Sequence, residues 1–427
     1  MAEGFVSGRE RIAEKKNGEW VVKSVGMVAV CALSVSAAVA SAAEVSVGET
    51  RGDVNAAVVR VLENDGFVLT NGSHDARQMT VLDDVTNVRT FPQQCGTQVK
   101  IIFDTDMVED YDDVGALAAL HALADEGRCE ILATVTCTRG NQSVATVEVV
   151  NAFYGRKDIP VGCAKEIGIV GTTKGCADMS GHKKYARIAK EYAHYVRHAN
   201  SDNAPDANMV YRKVLSAAPD KGVTVCSVGF LTNLRRLLET KPDSISPLSG
   251  MELVAKKVKA LYAMAGRYPH GREYNVEWDI PSARLVFNRW PTPIFISDFN
   301  LGRSIYSGRK VSESEYGYPN PVKDIYAQSL PSRAATHELH CWDKEEGGHS
   351  SWDPVTVLAS VLGLAPYFIV RHGYFTIDQL GANTWHDDPS KTGGVLECAV
   401  SCGHSRQSIG ALLDDLIARQ PKSAWGN

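Results

Sequence analysis

No two cysteines in this chain are separated by just two residues, so the paired-thiolate motifs of zinc ribbons and thiol–disulfide exchange sites have no basis here. No run of lysine and arginine stands out either, and the formal net charge is −5. Nucleic acid and acidic membrane surfaces are thereby set aside as main partners. The apolar stretch Val25–Ala40 falls short of the about 20 residues that a transmembrane helix needs. Internal repeats and low-complexity tracts are absent. What is present is an ordinary globular balance, 44% hydrophobic and 22% charged over 427 residues, enough to bury a large core.

The apolar stretch has another use. It follows Lys23 and runs into Ser41-Ala42-Ala43, so it reads as the core of a signal peptide with a cleavage site at Ala40-Ser41-Ala42. Residues 1–42 are therefore expected to be a signal segment, its leading part unusually long and carrying Arg9, Arg11, Lys15 and Lys16. A mis-assigned start or an uncleaved anchor would each account for that length. The expected destination is periplasmic or secreted, with no stable membrane association after processing; without a functioning signal it is cytoplasmic. Cleavage removes Cys31 and leaves nine of ten cysteines, so at least one stays unpaired or links chains. Cys398 and Cys402, the closest pair, read equally as a local disulfide or as two buried thiols. Residues 43–97 show no clear period and are expected to form a linker or small appendage.

From residue 98 to 427 the pattern is that of one domain. Short apolar runs (Val99–Phe103, Ile131–Thr136, Ile159–Cys163, Val223–Val228, Leu261–Met264, Ile294–Ser297) alternate with segments of helical period (Val144–Tyr154, Tyr185–His198, Met209–Ala217, Leu231–Leu238, Ser282–Phe287). Such alternation predicts an α/β fold, a single mostly parallel sheet flanked by helices, with ligands outside the carboxyl ends of the strands. Residues 303–350 interrupt the rhythm, and Tyr316–Pro321 and Trp342–His349 are expected to be long loops. Asp353-Pro354 then predicts a helix over Val355–Leu362 with proline at its first position.

The end of the first predicted strand carries the densest chemistry. Asp104, Asp106, Glu109, Asp110, Asp112 and Asp113 lie between that strand and a helix opening at Val114. A helix N-terminus favours a carboxylate by only about 0.3–1 kcal/mol. Several carboxylates in contact would repel one another or take up protons. A hard divalent cation, ligated by oxygen, resolves the conflict.

Asp104-Thr105-Asp106 with Asp112-Asp113-Val114-Gly115-Ala116-Leu117 resembles the signature of nucleoside hydrolases, the inosine–uridine-preferring N-ribohydrolase family. Further elements follow in the family's order: Gly140-Asn141, Gly229-Phe230-Leu231-Thr232-Asn233, Glu273-Tyr274-Asn275 with Asp279 and Pro281, and Trp352-Asp353-Pro354. The resemblance covers most of the chain after residue 98 and implies the family's fold. It also implies hydrolysis of the N-glycosidic bond of a purine or pyrimidine ribonucleoside to free base and ribose. It implies one Ca²⁺, with Asp106, Asp113 and Asp353 as carboxylate ligands and Val228 giving its main-chain oxygen. Asp106 would also be the general base toward a water on the cation. Asp112 would accept from a ribose hydroxyl, and Asn141, Glu273 and Asn275 would grip the remaining hydroxyls. The partner is then a small nucleoside, in the setting of purine or pyrimidine salvage, and the chain a homo-oligomer, dimer or tetramer.

Three departures qualify the carry-over. Two extra residues separate Asp106 from Asp112-Asp113, so Asp110 competes with Asp112 for the ribose-contacting role. Arg267 stands where the family has asparagine, and either binds an anionic substituent such as phosphate or pairs with a nearby acid. Trp352 replaces a histidine that some members place near the leaving base, which passes leaving-group help to Trp352 itself, His349 or His270. Two other functions fit part of the pattern. Asp104-x-Asp106 after a buried strand matches the first motif of haloacid-dehalogenase-type phosphatases, and a catalytically inactive nucleoside- or sugar-binding protein would retain the acids without turnover.

Overall fold

The computed structural model describes residues 98–107, 110–139, 142–165, 185–333, 342–343, 348–399 and 405–426, and an antiparallel strand pair, Glu14–Lys16 with Glu19–Val21. Apart from that pair, the expected signal segment and appendage lie outside the described residues, as do Asn141 and Cys402. The chain divides into two compact units. One comprises Met1–Gly96, Leu364–Ile369 and Cys398–Ser408; the other comprises Thr97–Gly363, Val370–Glu397 and Ile409–Asn427 and holds every site residue discussed below. Among the described residues no helix is long and apolar enough to cross a membrane.

The strands are β1 Val99–Thr105, β2 Cys129–Thr136, β3 Val161–Cys163, β4 Val223–Ser227, β5 Val258–Met264, β6 His270–Gly271, β7 Ile294–Ser297, β8 Phe368–Ile377, β9 Asn383–Asp387 and β10 Gly394–Cys398. They form one ten-stranded sheet in the order β3-β2-β1-β4-β5-β7-β10-β8-β9-β6. From β3 to β10 every neighbouring pair is parallel. β8 and β9 form an antiparallel hairpin, to which β6 adds. The α/β reading with a mostly parallel sheet is what the chain adopts. β1, β2 and β4 are buried along most of their length because helices cover both faces. On one face Ile102, Val135, Val225 and Leu261 join a core with Tyr211, Leu234, Leu253 and Val286. These come from α3 Ala207–Ala217, α4 Thr232–Glu239, α5 Gly250–Lys257 and α7 Ile280–Arg289. On the other face α1 Asp112–Asp125 and α8 Trp352–Leu362 pack together against the strands, with α2 Ser143–Phe153 beside α1.

Two expectations need correction. Residues 303–350 are more regular than their composition suggests, with helices at Arg309–Glu313 and Pro321–Arg333 and a three-stranded sheet of Tyr306–Ser307, Gly348–Ser350 and Trp342–Asp343. Such short strands take their stability from neighbours and leave no period in the sequence. Second, α8 begins at Trp352 after Ser351, so Pro354 is its third residue. The N–H groups of the first turn have no intrahelical acceptor, and proline is tolerated throughout it.

Candidate active site

The parallel strands run outward from β1 in both directions, β2 and β3 on one side and β4, β5 and β7 on the other. The reversal lies between β1 and β4, and the crevice beyond such a reversal is where this architecture binds ligands. In register Asp104 faces Ser227, which sets Asp106 beside Val228 and Gly229. The Val228 N–H donates to the Asp104 carbonyl at 2.7 Å and closes the floor of the crevice.

Three carboxylates meet there. One oxygen each of Asp112, Asp113 and Asp353 lies within 4.8 Å of the others, and all three residues are buried. Asp112 and Asp113 form the first turn of α1 and Asp353 that of α8. The helices are tied at this point by the Asp353 N–H, which donates to Asp112 Oδ2 at 3.1 Å. Asp113 accepts from the Thr105 hydroxyl and, at 3.2 Å, from the Met107 N–H. Asp106, 8% exposed, hydrogen-bonds Asp113. Burial, and then the charges of Asp113 and Asp110, raise the Asp106 carboxyl well above the usual carboxylate range. Asp353 rises likewise through burial and the charges of Asp112 and Asp113. Asp113 is pushed up to about 6 by burial, held back by the Thr105 and Met107 donors. Without a cation, then, the buried acids conflict. A donor set made only of carboxylate oxygen fits a hard divalent ion.

Asp104, two residues before Asp106, has a different fate. It is fully buried and accepts from Tyr211 Oη at 2.8 Å and Asn233 Nδ2 at 3.0 Å. Burial outweighs both donors and pushes its carboxyl up to about 7. It clasps α3 and α4 to the sheet and is unavailable as a nucleophile.

Glu273 and Asn275 lie at the far side of the crevice, before and within α6 Tyr274–Trp278. The Glu273 carboxylate accepts from the N–H groups of Gly266 (3.0 Å), Asn275 (2.9 Å) and Val276 (3.2 Å). Asn275 Nδ2 donates to the carbonyls of Val228 (3.2 Å) and Met264 (3.0 Å). Both residues thus bind β4, β5 and α6 together at the crevice wall. Burial outweighs the three donors and pushes Glu273 up to about 7 from 4.5. Between these values the unfolded chain gives up the proton first, so stability falls as pH rises, by on the order of 3 kcal/mol for this group. Chemical denaturation at pH 5 and pH 8 is expected to show a smaller fall in Glu273→Gln than in the parent. Equal falls would refute the assignment.

His349 is buried, with Nδ1 2.5 Å from the Ser350 carbonyl and Nε2 3.7 Å from Asp110 Oδ1. Its ring lies 4.3 Å from that of Tyr111 and 5.7 Å from that of Trp352. Trp352 donates Nε1–H to the Phe299 carbonyl at 2.9 Å. The Arg267 guanidinium stands 4.1 Å over the Phe299 ring. His270 is exposed on β6.

Several residues that the sequence did not single out shape the site. Thr138 Oγ1 donates to the Asp106 carbonyl at 2.9 Å and Ser143 Oγ to the Met107 carbonyl at 3.0 Å, fixing the turn after β1, where Met107 has φ +48°. The buried Tyr185 hydroxyl donates to the Asp110 carbonyl. Single hydroxyl side chains in loops and at helix ends carry no periodic signal, so only the packing reveals them. A Cβ on Gly229 would stand 2.5 Å from the Asp106 nitrogen, 2.9 Å from its Cβ and 2.7 Å from Cys137 Sγ. Gly229→Ala must therefore displace Asp106. A loss of about 1–3 kcal/mol in stability is expected, together with a fall in turnover of at least about tenfold, readable from urea midpoints and initial rates.

Comparison with known proteins agrees with this fold. The purine-preferring ribonucleoside hydrolase from Gardnerella vaginalis has a similar fold, with TM-score 0.54, 17% identity, and coverage of 75% of this chain and 99% of that one. So does the type III effector protein XopQ complexed with adenosine diphosphate ribose, with TM-score 0.52, 16% identity, and coverage of 80% and 98%. No curated protein sequence matches the chain. The family profile described as inosine-uridine preferring nucleoside hydrolase matches residues 101–405. With the profile spanning well over half of its residues and the acids gathered at the strand ends, this chain belongs to the inosine-uridine preferring nucleoside hydrolase family.

Proposed function

We propose that the protein hydrolyses the N-glycosidic bond of ribonucleosides to free base and ribose, and that its site is completed by one Ca²⁺. The observation that carries this reading is the convergence of buried Asp112, Asp113 and Asp353, from helices far apart in the chain, beside Asp106. Asp106, Asp113 and Asp353 would hold the ion, with the Val228 carbonyl. When bound, the cation supplies positive charge that acidifies water and offsets the buried carboxylates. Bond breaking builds positive charge on the sugar, and the carboxylates around the crevice stabilise it. Asp106, its carbonyl held by the Thr138 hydroxyl, would take a proton from the attacking water. Asp112, Asn141, Glu273 and Asn275 would accept from or donate to ribose hydroxyls. A deoxyriboside would leave a buried polar group such as Asp112 or Glu273 unpaired and would be selected against. Trp352 and His349, buried close to one another, would meet the leaving base.

The phosphatase alternative requires Asp104 as nucleophile, and its burial between Tyr211 and Asn233 counts against that. The test is a panel of ribosides and 2′-deoxyribosides assayed for released reducing sugar, with and without chelator. Release from ribosides alone, lost with chelator and restored by Ca²⁺, is the expected result. Absence of any release, or release indifferent to chelator, would sink the reading.

A further inference from the structure

The proposed hydrolysis leaves Arg267 unused, and its setting is specific. It follows β5 in a turn held from both sides. Gly266 has φ +77°, and a Cβ there would stand 2.8 Å from the Phe375 ring, so only glycine makes this turn. The Gly266 carbonyl accepts from the Phe299 N–H at 2.9 Å. The Arg267 N–H donates to Asn383 Oδ1 at 2.9 Å, and Asn383 Nδ2 donates back to the Arg267 carbonyl at 2.8 Å. Asn383 is itself buried.

The side chain is placed with equal care. The guanidinium lies 4.1 Å over the Phe299 ring, and that ring lies 5.5 Å from Trp352, the residue before Asp353. Arg267 is therefore one ring away from the acid cluster's helix, and one residue from Gly266, whose N–H meets Glu273. Arg303 approaches the same phenyl ring at 5.7 Å. Stacking fixes the guanidinium plane but leaves its in-plane N–H donors to be met by other atoms. Among the described residues Arg267 Nε is buried and has no hydrogen-bond partner. The neighbouring acid, Asp298, feels the Arg267 charge but gives its hydrogen bonds to the N–H groups of Tyr268 (2.8 Å), Asn300 (3.0 Å) and Leu301 (3.2 Å). A stacked, rigidly presented guanidinium with open donors matches a phosphate, which it binds through paired N–H···O contacts.

We propose that Arg267 binds a phosphate on the ribose of the substrate, at the 5′ position, so that the preferred substrate is a ribonucleoside 5′-phosphate. This rests on the riboside reading of the same site. The position follows from chemistry. C1′ carries the base that must leave, and the vicinal 2′- and 3′-hydroxyls are the only pair in a ribofuranoside able to chelate a cation at the acid cluster. A phosphate at either of those positions would lie against buried carboxylates. The 5′-oxygen is the site left for an anion, and it points away from the diol.

The test is binding of D-ribose 5-phosphate against D-ribose, by calorimetry on the full chain with Ca²⁺. The phosphate is expected to tighten binding by on the order of tenfold to a hundredfold at low salt, with the preference shrinking as ionic strength rises. In Arg267→Met the ratio of the two affinities is expected to collapse toward one, with Arg267→Lys between. Equal affinities in the unmodified protein overturn the proposal whatever the variants do, and so does a full phosphate preference in folded Arg267→Met. Parallel hydrolysis assays separate the two readings. Cleavage of nucleosides with no gain from a 5′-phosphate overturns the Arg267 assignment alone. Arg267-dependent phosphate binding without cleavage of either class keeps the phosphate site and overturns the hydrolase reading.

Discussion

Asp106→Asn is expected to lower riboside turnover by on the order of 10³-fold while leaving the fold intact. The substitution keeps the size of the side chain and removes its capacity to take a proton, a loss that typically costs about 10²–10⁴ in rate. The backbone around it is held independently, by Thr138 on the Asp106 carbonyl and Ser143 on the Met107 carbonyl. The comparison variant is Asp220→Ala. Asp220 is exposed and pairs with Lys257 at 2.8 Å, away from the strand ends, and its loss is expected to leave turnover unchanged. Initial rates on a cleavable riboside decide the matter, with circular dichroism as the check on folding. Equal turnover by both variants would remove Asp106 from the mechanism.

The second large effect concerns stability, and it inverts the usual expectation for a site residue. Without a cation, Asp353→Asn is expected to melt above the parent at pH 8. Burial and the charges of Asp112 and Asp113 raise the Asp353 carboxyl above its ordinary range. The unfolded chain therefore loses that proton at lower pH than the folded one, and metal-free stability falls as pH rises through the interval. Asparagine removes one of the mutually repelling charges, while the Asp353 N–H bond to Asp112 is a main-chain contact and survives. Adding Ca²⁺ reverses the ranking. A ligand at 100 times its dissociation constant stabilises the folded state by about 2.7 kcal/mol. In a domain of this size that raises the melting midpoint by roughly 4 °C. The gain should grow with pH in the parent, because the ligands must be deprotonated, and should be largely lost in Asp353→Asn. Differential scanning fluorimetry at pH 5 and pH 8, with Ca²⁺ and with chelator, reads all four arms. A variant that melts below the parent without cation, or responds to Ca²⁺ as the parent does, would show that the cluster is not a cation site.

Much of the architecture was legible in the chain itself. Parallel strands buried on both faces require continuous apolar runs, and β1, β2, β4, β5 and β7 all stand where such runs occur. Helical period located α2, α3, α4 and α7 for the same reason, since each must bury one face against the sheet. The acidic segment after β1 announced itself by density, because no local structure stabilises so many carboxylates at once. These are properties of neighbours along the chain, and the sequence states them directly.

What the acids do was decided by residues remote from them. Asp104 and Asp106 are two positions apart, yet one is locked in the core by Tyr211 and Asn233 while the other faces Asp113 across the crevice. Asp353 reaches Asp112 over a separation of 241 residues, through the packing of α8 on α1. Glu273 and Asn275, matched by motif, turn out to brace the crevice wall through contacts with Gly266, Val228 and Met264. Tyr185, Phe299 and Asn383 enter only through the shape of the folded chain. Burial, proton affinity and open hydrogen-bond donors depend on which distant atoms surround a group, and that is settled when the layers close over the sheet, not by the order of residues beside it.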